Sequence, residues 1–68
     1  METYTLYQML KKGLLLNRKC KPIVSFIHLR GIVDSWGYTK VDGEYHIRKV
    51  DIDDHNERMR KVVELLAH

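Results

Sequence analysis

Ile23-Val24-Ser25-Phe26-Ile27-His28-Leu29-Arg30-Gly31-Ile32-Val33 is the stretch on which the fold turns. Its β-branched residues and Phe26 favour a strand. A short apolar run does not set its own period, so a buried helix stays open. The next fourteen residues weigh towards the strand. Asp34-Ser35-Trp36-Gly37 has Asp first and Gly fourth, as a type I turn prefers. Tyr38–Val41, Asp42-Gly43 and Glu44–Ile47 then read as a hairpin, because Asp-Gly suits a two-residue type I′ turn. That turn would set Val41 opposite Glu44, Lys40 opposite Tyr45, Thr39 opposite His46 and Tyr38 opposite Ile47.

If Val33 in turn opposes Tyr38, one sheet face collects Ile23, Ile27, Leu29, Val33, Tyr38, Tyr45 and Ile47, with Ser25, Gly31 and Lys40 as exceptions. The other face collects His28, Arg30, Thr39, Glu44, His46 and Arg48, with Val24, Phe26, Ile32 and Val41 among them. An apolar and a mostly polar face are what a half-covered antiparallel sheet requires. Helices are expected on both flanks. Thr5 and Gln8 have capping-box spacing, and Leu6, Leu10 and Leu14 mark one face of a first helix ending near Leu15 or Leu16. Gly13 is its weak point, and Pro22 disfavours a helical Lys21. Asp53 or Asp54 caps a closing helix from about His55 to Ala67, with Met59, Val62, Val63 and Leu66 on its apolar face. The expected fold is α+β: a single domain over residues 1–68, a three-stranded antiparallel meander between N- and C-terminal helices. The alternative is a winged helix, with 23–33 as recognition helix and the 38–48 hairpin as wing. It is disfavoured because Ser25, His28 and Arg30 form no clean polar stripe, and Leu16–Pro22 leaves no room for a third core helix.

The size limits what such a domain does. Sixty-eight residues with 44% apolar side chains bury a thin core and leave little room for a deep pocket. The lone Cys20 excludes an intrachain disulfide and an all-Cys metal site. Glu2 ahead of the lysines, with Lys11 and Lys12 among the apolar positions, does not read as a secretory signal. No apolar run approaches the roughly 20 residues of a membrane span. A complete, cytoplasmic gene product without membrane contact is expected. Its net charge of +3 is unevenly spread: +4 over residues 1–22, +1 over 23–50 and −2 over 51–68. Such asymmetry steers a phosphate backbone to one side.

The candidate binding residues come from the second sheet face and the basic loop before it: Arg18, Lys19, Lys21, Phe26, His28, Arg30, Lys40, His46 and Arg48. Cations beside an aromatic suit phosphate pairing with stacking on an unpaired base. The element order resembles that of the α-β-β-β-α domains that bind double-stranded RNA. Those domains carry a lysine-rich start to the second helix, whereas this chain has Asp51-Ile52-Asp53-Asp54 there. The resemblance is therefore one of element order alone. Catalytic readings find no support: Cys20 has no placed base, the four histidines lack close ligand spacing, and no Gly-rich phosphate loop exists. The expectation is a non-enzymatic, cofactor-free accessory or regulatory protein that binds DNA or RNA, of a size found in phages and mobile elements. The alternative is a protein-interaction module, such as an inhibitor or assembly factor, or a homodimer formed through the same face.

Overall fold

Thr5 accepts a hydrogen bond from the Gln8 N–H, and the Gln8 carboxamide accepts one from Thr5 N–H at 2.9 Å. This reciprocal cap starts the first helix of a computed structural model that describes residues 2–67. The elements in chain order are β1 (Thr3–Tyr4), α1 (Leu6–Lys12), α2 (Phe26–Ser35), β2 (Ile47–Arg48) and α3 (Lys49–Leu66). α1 ends earlier than its leucine spacing predicts. Gly13 takes the left-handed conformation, its N–H bonds to Leu10 C=O, and Leu14 N–H returns to Met9 C=O. These paired bonds close the helix, and Leu14–Leu16 leave it as extended chain.

The extended piece folds back on itself. Leu16 bridges Pro22, and Ile23 N–H bonds to Leu15 C=O. Between them the Asn17 side chain accepts from the N–H groups of Lys19 (2.8 Å) and Lys21 (3.1 Å). The basic loop is thereby a tight, internally bonded turn.

The meander is not formed. Residues 26–35 are helical, leaving no third strand, and the sheet is the two-stranded pair of β1 and β2 with Tyr4 opposite Ile47. Two local signals favour the helix. Ser25 caps it, accepting from His28 N–H, and Leu29, Ile32, Val33 and Trp36 recur at i, i+3, i+4 and i+7. Leu29 and Val33 are fully buried, whereas Ile27, placed in the core by strand alternation, is 83% exposed. Burial of one helical stripe outweighs the strand preference of the β-branched residues. Asp34 and Ser35 finish α2 instead of forming an interstrand turn. The resemblance in element order to double-stranded-RNA domains ends with the missing meander.

Of the hairpin register, one rung is formed. Val41 and Glu44 exchange both backbone bonds around Asp42 and Gly43, whose φ values are 53° and 82°. Beyond that rung Tyr45 and Ile47 turn into the core, and Ile47 takes the N-terminal strand as its partner. α3 starts at Lys49, earlier than expected, without a side-chain cap bond. Asp51 in its first turn complements the helix dipole, and Lys49 Nζ pairs with Asp53 at 3.0 Å.

The core gathers Leu6, Met9, Leu15, Ile23, Leu29, Val33, Tyr45, Ile47 and Ile52, with Trp36 packed against its edge. α3 reaches this core through Ile52, His55 and Asn56. The Asn56 carboxamide donates to Leu14 C=O at 2.8 Å and accepts from Leu16 N–H at 2.9 Å. His55 Nε2 lies 2.9 Å from Leu16 C=O.

Asn56→Ala strips both partners from this backbone and is expected to cost about 2–3 kcal/mol. A urea titration should show a lowered midpoint with an unchanged slope. Two glycines should respond oppositely to alanine. Gly13 has φ 61°, and an added Cβ would lie 3.1 Å from Pro22 Cβ, so Gly13→Ala should cost about 1–2 kcal/mol. At the exposed, mid-helical Gly31 an added Cβ meets nothing within 4 Å, so Gly31→Ala should stabilise by about 0.5–1 kcal/mol.

Candidate functional site

The anchored 17–21 loop forms one wall of a large groove of about 680 Å³. Asn17, Arg18 and Lys19 line it from the loop, His28, Ile32 and Ser35 from α2, and His55, Arg58 and Met59 from α3. Leu16, Ile23 and Trp36 complete the lining. Trp36 sits half-buried with its ring centroid 5.6 Å from that of His55 and 6.4 Å from that of Tyr38, tilted against both. The His55 ring is thus held from two sides, by the indole and by the Leu16 carbonyl.

The electrostatics of this groove are one-sided. No Asp or Glu among the described residues lines it, while Arg18, Lys19 and Arg58 do. These three exposed cations take part in none of the ion pairs found among the described residues, which join Arg30–Asp34, Arg48–Asp51, Lys49–Asp53 and Lys61–Glu57. Arg58 also borders Asp54 and Glu57 on its other side. A neighbouring groove shares Trp36 and Arg58 but contains Asp51 and Asp54, so the basic surface has an acidic border on that side.

Within that border Asp51 is tightly held. The Tyr38 hydroxyl donates to its carboxylate and in turn accepts from Arg48 N–H, while Arg48 Nη2 lies 3.1 Å from the same carboxylate oxygen. The Tyr38 hydrogen bond, with the Arg48 guanidinium, holds the Asp51 carboxyl below its ordinary value against the opposing effect of burial. Tyr38 and Asp51 push Arg48 the other way, further toward its charged form.

The nine residues expected on one basic surface do not share a face. Arg18, Lys19 and His28 meet in the large groove. Lys21 is exposed in the same loop but does not line it. Phe26 and Arg30, one helical turn apart, line a smaller cavity of about 150 Å³ on another side of α2, with Lys40, Glu44 and the rings of Tyr7 and Tyr45. Arg48 is engaged by Asp51, and His46 lies exposed beside β2, lining neither cavity. Alternating strand positions became helical positions, and a helix sends i and i+2 to different sides. Arg58, Trp36, His55 and Met59 lie outside the set that sequence reasoning assigns to the site. Trp36 is legible as the i+7 member of the α2 stripe, and His55 as the position between Ile52 and Met59 on the α3 stripe. Nothing in the sequence brings Arg58 to Arg18.

Compared with known proteins, the chain matches no family model, no curated protein and no solved structure.

Asp51 gives the fold a defined acid sensitivity. Its depressed carboxyl contributes stability that is full above about pH 4 and is lost as pH falls through the folded-state value. Asp51→Asn should therefore lower the melting temperature at pH 7. The gap to the parent protein should close in melts taken progressively further below pH 4.

Proposed function

We propose that this protein is a non-enzymatic nucleic-acid-binding accessory or regulatory protein, with the large groove and the 17–21 loop as its contact surface. One observation carries the reading: Arg18, Lys19 and Arg58 converge on a groove with an indole in its lining and no carboxylate among its described lining residues. Unpaired cations around an aromatic suit a polyanion whose units are planar bases. Loop and helix each supply cations to the groove, so a phosphate chain entering it is met by both elements. The acidic border at Asp51 and Asp54 limits the surface in one direction and thereby orients the approach. No helix among the described residues is long and apolar enough to cross a membrane. On this reading the protein works in the cytoplasm.

A second reading, a protein-interaction module, has its own supporting observation. The stripe that buries Ile52, His55 and Asn56 continues along α3 through Met59, Val62 and Val63 to Leu66, yet Met59, Val62 and Val63 are half-buried and Leu66 is 80% exposed. Such a face suits a partner helix or a second copy.

Salt separates the two. Each phosphate contact contributes about 0.7–0.9 to the log–log slope of affinity against salt. Reversing Arg18, Lys19 and Arg58 to Glu together should flatten that slope by about 2–3, read by fluorescence anisotropy of labelled DNA and RNA oligonucleotides. Absence of binding to either at low salt, with salt-insensitive self-association in sedimentation, would favour the interaction module instead.

A further inference from the structure

We infer that the nucleic acid is held as a single strand laid across α2, with bases stacked in the groove at Trp36 and in the cavity at Phe26 on the other side of the helix. This rests on the nucleic-acid reading above and adds to it the form of the ligand and its path.

The shape of the surface argues for unpaired bases. The large groove combines apolar lining from Leu16, Ile32, Trp36 and Met59 with the cations Arg18, Lys19 and Arg58. A duplex presents phosphates outside and keeps its bases stacked within, so its readers push a convex element into a groove about 12 Å wide. A concave apolar lining gains nothing from phosphates and cannot reach stacked bases. An unstacked base fills it with its face while its phosphates reach Arg18, Lys19 or Arg58. A volume of about 680 Å³ also falls within the roughly 300–1,000 Å³ of sites that enclose small ligands.

A second platform lies across the helix. Phe26 is 47% exposed and Tyr7 is 65% exposed, and both line the smaller cavity with Arg30, Lys40 and a single acid, Glu44. Going around α2, His28, Ile32 and Ser35 face one cavity and Phe26 and Arg30 the other, with Ile27, Gly31 and Asp34 on the ridge between. The acid on that ridge is already answered, since Asp34 pairs with Arg30 and accepts from the Tyr45 hydroxyl. At Gly31 the ridge dips between Ile27 and Asp34, with nothing within 4 Å of the position its Cβ would take. A sugar-phosphate backbone can therefore pass close over the helix there. Two aromatic platforms, one beside Arg18, Lys19 and Arg58 and the other beside Lys40, joined over a glycine, make a track for several nucleotides.

The chain has a single tryptophan, so its fluorescence reports the large groove and the acidic groove that shares its ring. The full chain would be titrated with thymidine oligonucleotides of 3 and 12 nucleotides, and with a 12-base-pair duplex containing the same strand. The expected result is quenching of Trp36 by both single strands and weaker binding of the duplex without quenching. Phe26→Ala, at an exposed position, should weaken the 12-nucleotide strand about tenfold and leave the 3-nucleotide strand unchanged. Equal or tighter duplex binding, with unquenched Trp36 and no effect of Phe26→Ala, would overturn the single-strand inference and leave the nucleic-acid reading standing. If neither single strand nor duplex binds at low salt while an acidic helical peptide quenches Trp36, both fall.

Discussion

Asn56 places a carboxamide where a neighbouring strand would place a peptide group, donating to Leu14 C=O and accepting from Leu16 N–H. The extended piece after α1 pairs with Pro22 and Ile23 on one side, and without Asn56 Leu14 C=O and Leu16 N–H would lack a partner in part-buried surroundings. Leaving such groups unpaired is more costly than a formed hydrogen bond is favourable. The requirement therefore draws α3 against the 14–16 segment and sets how far along α3 the contact falls. Among the described residues no buried side-chain nitrogen or oxygen lacks a partner.

The groove inherits its geometry from that clamp. Asn56 docks α3 on the loop, His55 one position earlier bonds Leu16 C=O and meets the Trp36 ring, and Arg58 and Met59 come next on the groove wall. The loop is made rigid separately by the Asn17 side chain, which ties Lys19 and Lys21 through their backbone N–H groups. The backbone that carries these cations is fixed in both loop and helix, so their side chains hold most of the freedom an anion would restrict.

Local signals with a stated geometry are legible in the sequence. Thr5 and Gln8 form the reciprocal cap, and Asp42-Gly43 turns the chain with both residues at positive φ, because each motif is closed by residues near one another. The 23–33 stretch is misread as a strand when its β-branched residues are weighed above the Ser25 cap and the Leu29-Ile32-Val33-Trp36 period. The helix moves Phe26, His28 and Arg30 from one strand face to different sides of α2. It also disperses the expected site. The loop members Arg18 and Lys19 keep their place as exposed basic residues because their position does not depend on the strand.

By itself the sequence determined the uneven charge, the basic loop, the cap of α1, the Asp-Gly turn and the presence of an amphipathic closing helix. Each depends on neighbours within a few positions. Only the tertiary structure decided that Ile47 pairs with Tyr4 rather than with Tyr38, and that Arg58 lines one groove with Arg18 and Lys19. These juxtapositions join residues about 40 positions apart. They arise from which apolar stripe the core buries and which backbone groups Asn56 satisfies, and no local pattern encodes either.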